Sequence, residues 1–520
     1  MLTIQKAARR LSSEQGFTMV VALGVLLLTS MLLTGVFFAL QGEIHIGTDD
    51  LAAKRAYAAA TAGAQAYLYQ LNQNPNYWST CGNDIQSTAV TVPSSSDNAS
   101  YTYAPIYANG NTSCTSNAIG SLIDNTTGTI RMEFTGKAGT NPVVSRTIVT
   151  SFRMNSPLDF LWYTHFESVD DGIPGYSDCG VFYRAGRDPN CNIVWVSQDT
   201  MNGPSYTDDQ YLINGGASPT FGRSAADRVE SSEPNTATKD ICSASNCQAA
   251  TFKGTPVPNA KPVPTPSDNT ELLTDAQNYG KVFNGTTTIQ LNNNLPATVT
   301  TCTTATTCSS TSVNLAQYPI IYVSNACAPG AYDPFLTSYP LVTTGPYTND
   351  AYGCAGDVYI SGTYNTPVTI GAANNVVIKG NLTTSTTDTY GNPTGSATLG
   401  LVANEFVRVM HGCTSNQVPN LTIDAAILAL NHSFIVDNWN CGGAIGTLSV
   451  HGAIAQYFRG PVGQPNGQGG IANGYAKNYN YDDRLANILP PYLFDISNSG
   501  WHVSRETVCV PGGSDPTSAC

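Results

Sequence analysis

Charged side chains are scarce in this chain of 520 residues: aspartate, glutamate, lysine and arginine together make up only 11%, against about 25% in an average soluble domain. Basic residues are the rarer sign, and the formal net charge is −13. This balance argues against nucleic acid or anionic lipid as a partner. The low charge does not indicate disorder, because 27 tyrosines and many valines and isoleucines supply apolar surface for a folded core.

Motifs of common enzyme chemistry are missing as well. The chain has no Gly-x-Ser-x-Gly, no His-Glu-x-x-His, no phosphate loop and no dinucleotide fingerprint. It also lacks Cys-x2-Cys, and its six histidines are scattered, so we expect no metal site and no cofactor.

Two pairs of adjacent carboxylates are the remaining candidates for catalysis or calcium binding: Asp170-Asp171 and Asp482-Asp483. Neighbours along a strand point to opposite faces, so an adjacent pair is a poor acid–base couple. Asp482-Asp483 precedes Arg484, which favours a structural turn with an Asp–Arg pair. We therefore expect no enzyme activity.

The longest apolar run begins directly after a glycine. The sequence Glu14-Gln15-Gly16-Phe17-Thr18-Met19 opens an uncharged stretch that ends near Leu40. A short basic leader precedes it, with Lys6, Arg9 and Arg10. As a helix, residues 17–40 would span about 36 Å, enough to cross a hydrocarbon core of about 30 Å. The basic leader keeps the N-terminus in the cytoplasm, so the remaining chain is expected outside the membrane.

The order of these parts differs from a secretory signal, in which the cleavage site follows the apolar stretch. Here the candidate cleavage point, Gly16/Phe17, precedes it, so the helix would stay in the mature protein. This order resembles the class III leader of type IV prepilins. The resemblance implies cleavage after Gly16 by prepilin peptidase and methylation of the new amino group on Phe17. A plain signal-anchor helix with an accidental Gly-Phe is the alternative, and it has the same topology.

The helix is expected to continue beyond the membrane. Residues 56–71 are rich in alanine, leucine and glutamine, which favour helix, and Pro75 stops the run. A continuous helix over residues 17–73 resembles the first helix of type IV pilins. The resemblance implies the membrane as the location before assembly and other pilins as partners in a helical bundle. The small residues at 56–66 would admit neighbouring backbones closely, or would pack on the chain's own globular part.

Val21 departs from the pattern of major pilins. It occupies the fifth mature position, where major pilins carry a glutamate that is thought to pair with the amino group of the neighbouring subunit in an apolar bundle. Residues 15–23 and 58–64 are more similar to the PilX-like minor pilins, which often lack this glutamate. The resemblance covers about residues 12–75 and implies a low-copy subunit at the filament tip.

The cysteines indicate an oxidising compartment. There are fourteen, and none precedes Cys81. They fall in near pairs, and we expect consecutive pairing, although sequence alone does not give connectivity. The expected disulfides are Cys81/Cys114, Cys179/Cys191, Cys242/Cys247, Cys302/Cys308, Cys327/Cys354, Cys413/Cys441 and Cys509/Cys520. We expect a single-pass protein of the inner (cytoplasmic) membrane with an extracytoplasmic C-terminus, carried to the cell surface in a pilus.

The sequence pattern divides the chain into six segments and predicts an α+β fold. From residue 281 short β runs recur roughly every 8–12 residues, punctuated by glycine and asparagine. This spacing suits a sandwich, a barrel or a β-solenoid. Residues 359–365 and 377–382 are similar to the repeats of right-handed parallel β-helices, and this resemblance implies a mainly-β ectodomain built as a right-handed parallel β-solenoid, with a β-sandwich as the alternative. The predicted segments are a leader (1–16), the pilin N-terminal helix (17–75), a pilin-like β region with a small antiparallel sheet (76–158), an irregular insert with a proline-rich strap (159–280), the solenoid (281–460) and a C-terminal cap (461–520).

Together these patterns predict a minor type IV pilin-like subunit that displays a large extracellular β-rich domain for filament assembly, adhesion or surface binding. A surface or glycan ligand is the expected external partner. One alternative is a pseudopilin of a type II-like secretion or DNA-uptake machine. Another is a pilin-anchored, carbohydrate-active β-helix enzyme. A cleft lined by several carboxylates would favour the enzyme, whereas a flat ladder of asparagine and threonine would favour display.

Overall fold

The structure is a computed structural model. It describes residues 2–74, 77–93, 95, 98–108, 111–114, 122–124, 128–140, 143–173, 175–233, 241–242, 247, 249–304, 306–327, 353–467, 470–493 and 500–509. Within these ranges, the side chains of residues 2–18, 38–47 and 79 are not described. The fold comprises a long N-terminal helix, a small antiparallel sheet and a large, mostly parallel sheet.

The N-terminal helix α1 (Leu2–Gln73) is 72 residues long. Its stretch Met19–Phe37 has a mean hydropathy of 2.4, is not buried, and is long and apolar enough to cross a membrane. The outer half buries Ala60, Tyr67 and Leu71 against the small sheet. The helix ends two residues before Pro75, since the residue before a proline is disfavoured in helical conformation.

The small sheet has five antiparallel strands, and its last strand comes from the end of the chain. The strands are β1 (Gln86–Thr91), β2 (Ser100–Ile106), β3 (Thr129–Ala138), β4 (Val144–Met154) and β27 (Trp501–Val508), in the spatial order β1-β2-β3-β4-β27. Ile130, Met132 and Phe134 alternate along β3 and are fully buried, as the two-residue period of a half-covered strand requires. The chain therefore leaves this sheet after β4 and returns to it only after the large sheet is complete.

Gly136 lies where α1 crosses β3 most closely. A side chain at this position would overlap the backbone of Ala56 and Ala60 on the helix. Ala59 and Ala64 are also buried on this face. The predicted stretch of small residues thus packs on the chain's own globular part, because only small side chains let the helix backbone come this near to the sheet.

Over the described part of the chain, the large sheet contains 22 strands. Those before the helix α2 (Thr270–Tyr279) are β5 (Trp162–Phe166), β6 (Thr200–Asn202), β7 (Ser205–Thr207), β8 (Thr220–Phe221), β9 (Arg228–Ser231), β10 (Thr251–Phe252) and β11 (Thr255–Pro258). Those after α2 are β12 (Lys281–Asn284), β13 (Thr287–Asn293), β14 (Leu295–Cys302), β15 (Cys308–Val313), β16 (Ile320–Ser324), β17 (Val358–Tyr364), β18 (Val368–Ala372), β19 (Val376–Thr384), β20 (Leu399–Ala403), β21 (Val407–Val409), β22 (Thr422–Ala429), β23 (Phe434–Val436), β24 (Ala444–Phe458), β25 (Gly463–Pro465) and β26 (Ile471–Tyr481).

Strands of the large sheet generally pair in parallel with a strand further along the chain rather than with the next one. β16 pairs with β18, β18 with β20, and β20 with β22. The intervening strands follow the same rule, with β17 on β19 and β21 on β23. Strands that pair in this way form parallel rows. The inward side chains of these rows, including Ile360, Ile378 and Ile427, are buried in one continuous apolar core. Antiparallel pairing occurs where β14 joins β13 and β15, and where β25 joins β26.

The two ends of the large sheet are connected by a strap, residues 259–269. The first strands of the large sheet pair with strands near the end of the chain, β5 with β24 and β6 with β26. The strand after α2, β12, instead pairs with β16 at the other end of the sheet. The strap returns the chain from β11 to α2. On the way the carbonyl of Val263 accepts from the Tyr163 hydroxyl at 2.7 Å, and Asn269 Nδ2 donates to the carbonyl of Ala372 at 2.9 Å.

Two segments differ from their expected structure. Residues 159–280 are not irregular before the strap, because β5–β11 extend the parallel rows. These strands have two to five residues, too few to show a clear alternation. Residues 461–520 are not only a cap: β26 continues the rows and β27 completes the small sheet. No local pattern reveals that pairing, since the partners of β27 lie on β4, far away in sequence.

Candidate assembly site

The apolar half of α1 is the candidate assembly element. Between Met19 and Phe37 none of the helix is buried, and the Val21 side chain is 48% exposed. Such a contiguous apolar surface near the N-terminus is typical of a membrane anchor or a signal segment. Gly16 and Phe17 lie within the helix, but their side chains, like that of Leu40, are not described. Cleavage at Gly16/Phe17 therefore stays a prediction.

The outer half of α1 is held by polar as well as apolar contacts. Tyr57 is exposed beside β27, and its hydroxyl donates to Glu506 Oε1 at 2.7 Å. Asn72 Nδ2 donates to the carbonyl of Trp501 at 3.0 Å. The last strand of the small sheet thus contacts the helix near both ends of its packed half, which fixes the direction in which α1 leaves the sheet.

Six of the seven expected disulfides are present: Cys81–Cys114, Cys179–Cys191, Cys242–Cys247, Cys302–Cys308, Cys327–Cys354 and Cys413–Cys441. Among the described residues no group of three or more histidine, cysteine, aspartate or glutamate side chains is placed to hold a metal ion. The apolar helix and the disulfides together indicate an extracytoplasmic protein.

The seventh expected disulfide, Cys509–Cys520, involves a residue that the structure does not describe. The described part of the chain ends at Cys509, so Cys520 lies outside the described residues. The expected bridge between Cys509 and Cys520 therefore stays a prediction.

The first carboxylate pair is split between two environments. Asp170 is buried and its Oδ2 lies 2.6 Å from His432 Nδ1, whereas Asp171 is exposed. His432 Nε2 lies 2.8 Å from Glu405 Oε2. Burial opposes the charged form of His432, but the hydrogen bonds and charges of Asp170 and Glu405 outweigh it and raise the pKa of this imidazole to about 9. The cluster is a charged structural clamp rather than a pair of carboxylates sharing a proton.

The second pair lines a polar cleft of about 400 Å³. Asp482 Oδ2 accepts from Arg484 Nη2 at 2.7 Å, and Asp483 Oδ2 from Arg223 Nη1 at 2.8 Å. The third carboxylate, Asp388, accepts from Asn392 and from backbone N–H groups of its own turn, and these hydrogen bonds lower its pKa. A glycosidase needs one carboxyl group that is kept protonated by a raised pKa. In this cleft the pKa of Asp388 is lowered instead.

A ladder of asparagines runs from this cleft across the rows. Asn202 Nδ2 donates to Asn480 Oδ1 at 3.0 Å, Asn480 Nδ2 to Asn478 Oδ1 at 3.2 Å, and Asn478 Nδ2 to Ser449 Oγ at 3.2 Å. The alternation in Asn478-Tyr479-Asn480 is the sequence signal for it, since Tyr479 is fully buried and the asparagines face outward. Similar pairs join Thr363 to Thr383 and Ser361 to Gln290. These side chains form polar rows on the outer face of the large sheet.

No family model, no curated protein and no solved structure matches the chain. Its function is therefore inferred from the geometry of the helix, the two sheets and the polar rows. Among these, the long helix carries the clearest physical constraint.

Proposed function

We propose that this protein is a minor type IV pilin-like subunit, anchored by α1 in the membrane and then assembled into a filament through the same helix. The observation that carries the proposal is the division of α1 into two halves. One half is apolar and unburied over Met19–Phe37, and the other is packed on the chain's own antiparallel sheet. A soluble protein gains nothing from the first half, whereas a helix that moves from lipid into a helical bundle needs it.

The position of the large sheet supports a place at the filament tip. The large sheet is inserted in the chain between β4 and β27. Every subunit therefore has the large sheet attached to its small sheet. In a filament shaft each subunit is surrounded by neighbours, and an insertion of this size would collide with them. Val21 agrees with this placement, because a subunit with no subunit ahead of it has no amino group to neutralise.

The pairing rule of the large sheet supports a parallel β-solenoid as its architecture. Each strand in the series β16, β18, β20 and β22 pairs with the strand two positions later in the chain. A chain that coils in successive turns produces this pairing. A sandwich of antiparallel hairpins would pair consecutive strands instead. Such a stack presents flat outer faces, and the Asn202–Asn480–Asn478 ladder gives one face acceptors and donors for a glycan or another polar surface.

The alternatives receive less support. A pseudopilin of a secretion or DNA-uptake machine would share α1, but nothing in its role calls for an inserted sheet of 22 strands. The enzyme alternative depends on the carboxylate cleft. There Asp482 and Asp483 are paired with arginines, which leaves neither as a free acid or base.

The decisive experiment is intact-mass analysis of the protein from a host that has prepilin peptidase. We expect a mature chain that begins at Phe17, with or without one methyl group. Gly16→Leu should retain residues 1–16. Gly24→Leu is the matched control, because a side chain at Gly24 meets nothing within 4 Å and should not affect cleavage. A wild-type protein that keeps its leader in this host would contradict the pilin-like assignment.

The tip placement is tested separately by immunogold labelling of the large sheet on isolated filaments. We expect label at filament ends. Label spread evenly along the shaft would contradict the tip position and leave the processing result unaffected.

A further inference from the structure

A second candidate site lies in the large sheet, away from α1 and from the polar cleft. It is a cavity of about 500 Å³ between the segment 190–199 and the strands β24, β25 and β26, a volume suited to one small ligand. Most of its wall is apolar, including Ile193, Val194, Val196, Trp439, Val462 and Ile471. Arg459 and Lys477 are its cations.

Arg459 brings an unused donor to this cavity. The residue is 1% exposed, and its guanidinium lies 3.9 Å from the centre of the Trp195 ring. Nη1 donates to Glu167 Oε2 at 2.8 Å and to the carbonyl of Ile193 at 2.9 Å. Nη2 has no hydrogen-bond partner among the residues that the structure describes. A buried donor without an acceptor is costly, so this atom is the strongest sign that something binds here.

Glu167 cannot satisfy that donor because its carboxylate is already saturated. Oε1 accepts from Trp162 Nε1 at 2.9 Å and from Thr164 Oγ1 at 2.7 Å. Oε2 accepts from Trp195 Nε1 at 3.1 Å in addition to Arg459. The three donors besides Arg459 hold the Glu167 carboxylate in place. Among the residues that the structure describes, none supplies an acceptor for Arg459 Nη2.

Lys477 is the second cation of the cavity. Its Nζ lies 2.9 Å from Asp199 Oδ1 and 5.3 Å from the centre of the same Trp195 ring. The side chain is 17% exposed, and an ammonium group has three N–H donors. Asp199 Oδ2 is engaged by the backbone N–H of Val196 at 3.0 Å. The cavity therefore offers N–H donors from two cations beside the same tryptophan ring, each paired with one carboxylate.

We propose that this cavity binds a small organic monocarboxylate, with its apolar body against Val194, Trp439 and Val462 and its carboxylate facing Arg459 and Lys477. The ligand can carry at most a single negative charge, because Glu167 and Asp199 already supply two buried carboxylates. A dianion such as a phosphate monoester would be repelled by them. The site is independent of filament assembly, since α1 contributes nothing to it.

The test uses 2-naphthoate as the probe and naphthalene-2-carboxamide as its neutral counterpart. Binding to the full chain in lipid nanodiscs is followed by calorimetry and by quenching of tryptophan fluorescence, with empty nanodiscs subtracted. We expect the acid to bind about tenfold more tightly than the amide, because its hydrogen bonds to Arg459 and Lys477 are charge-assisted. Equal affinity for the two compounds would overturn the carboxylate assignment.

Three variants locate the binding. Val194→Trp should fill the cavity and abolish binding of both compounds, since Val194 is 38% exposed on its wall. Val143→Trp is the matched control directly before β4, where the side chain is 61% exposed, and should bind normally. Lys477→Arg should keep the preference for the acid. Undiminished binding to Val194→Trp, or no binding of 2-naphthoate to wild type and Val143→Trp, would overturn the proposal.

Discussion

His432 joins two distant parts of the large sheet through a charged clamp. Its imidazole lies between Asp170, which follows β5, and Glu405, which follows β20, and is stacked on Phe406. Burial opposes the charged form, but the two carboxylates outweigh it and raise the pKa of His432 from 6.5 to about 9. Because the folded-state pKa is the higher one, this residue contributes its full stability below the unfolded-state value and loses it as pH rises through about 9.

Replacing His432 should therefore change stability in a pH-dependent way. The difference in free energy of unfolding between wild type and His432→Gln should be largest near about pH 6 and shrink by about 3 kcal/mol towards about pH 10. Urea unfolding across this range measures it. Burial lowers the pKa of His502, so His502→Gln is a control whose effect should be confined to acid pH. A constant difference for His432→Gln would show that its charge does not matter.

The contact between α1 and β3 depends on the absence of a side chain at one position. Gly136→Val would push a branched side chain into the backbone of Ala56 and Ala60. We expect the variant to lose about 1–3 kcal/mol or more of stability, because backbone atoms cannot move aside as a flexible side chain can. Lys137→Val is the matched control, since the neighbouring side chain is exposed.

Limited proteolysis between α1 and the small sheet, together with thermal unfolding, distinguishes the two variants. Gly136→Val should release the outer half of the helix and expose it to cleavage, whereas Lys137→Val should behave as wild type. If both variants resist proteolysis equally, the close helix–sheet approach at Gly136 contributes little to holding α1.

Elements with a strong local pattern could be predicted from the sequence, and elements stabilised by distant partners could not. The alternation of Ile130, Met132 and Phe134 indicates β3, and the uncharged run after Gly16 indicates the membrane segment. The two-residue strand β8 and the returning strand β27 carry no comparable signal. The same holds for the cavity: Glu167 and Arg459 are 292 residues apart, so only the pairing of β5 with β24 brings them together.

The large sheet joins two separate stretches of sequence, and no covalent link between described residues crosses their shared boundary. β5–β11 precede the strap and β12–β26 follow it, and they meet where β24 pairs with β5 and β26 with β6. The six observed disulfides each lie wholly before or wholly after the strap. The strap is therefore the sole covalent connection between the two stretches among the residues described.

Cutting the strap should leave the protein assembled. A specific protease site inserted between Lys261 and Pro262, both exposed, should yield two fragments that co-elute in size-exclusion chromatography under native conditions. The fragments should separate on a non-reducing denaturing gel. We expect this because the β24–β5, β26–β6 and β27–β4 ladders all span the cut. Dissociation under native conditions would mean that the strap itself holds the two stretches together.

The insertion of the large sheet between β4 and β27 has a mechanical consequence. Both connections leave the small sheet at the same place, where Met154 is paired with Trp501 and the N–H of Asn155 donates to the carbonyl of Gly500 at 3.0 Å. In the proposed tip subunit, a retracting filament pulling against a bound surface would draw β4 and β27 together in one direction. The load then falls on the boundary between β3 and β4, registered from Thr129↔Arg153 to Ala138↔Val144. Ladder hydrogen bonds lie perpendicular to the strands. Tension along the strands would therefore load all of these bonds together in shear, instead of breaking them one after another. We expect the small sheet to resist a high force before it unfolds.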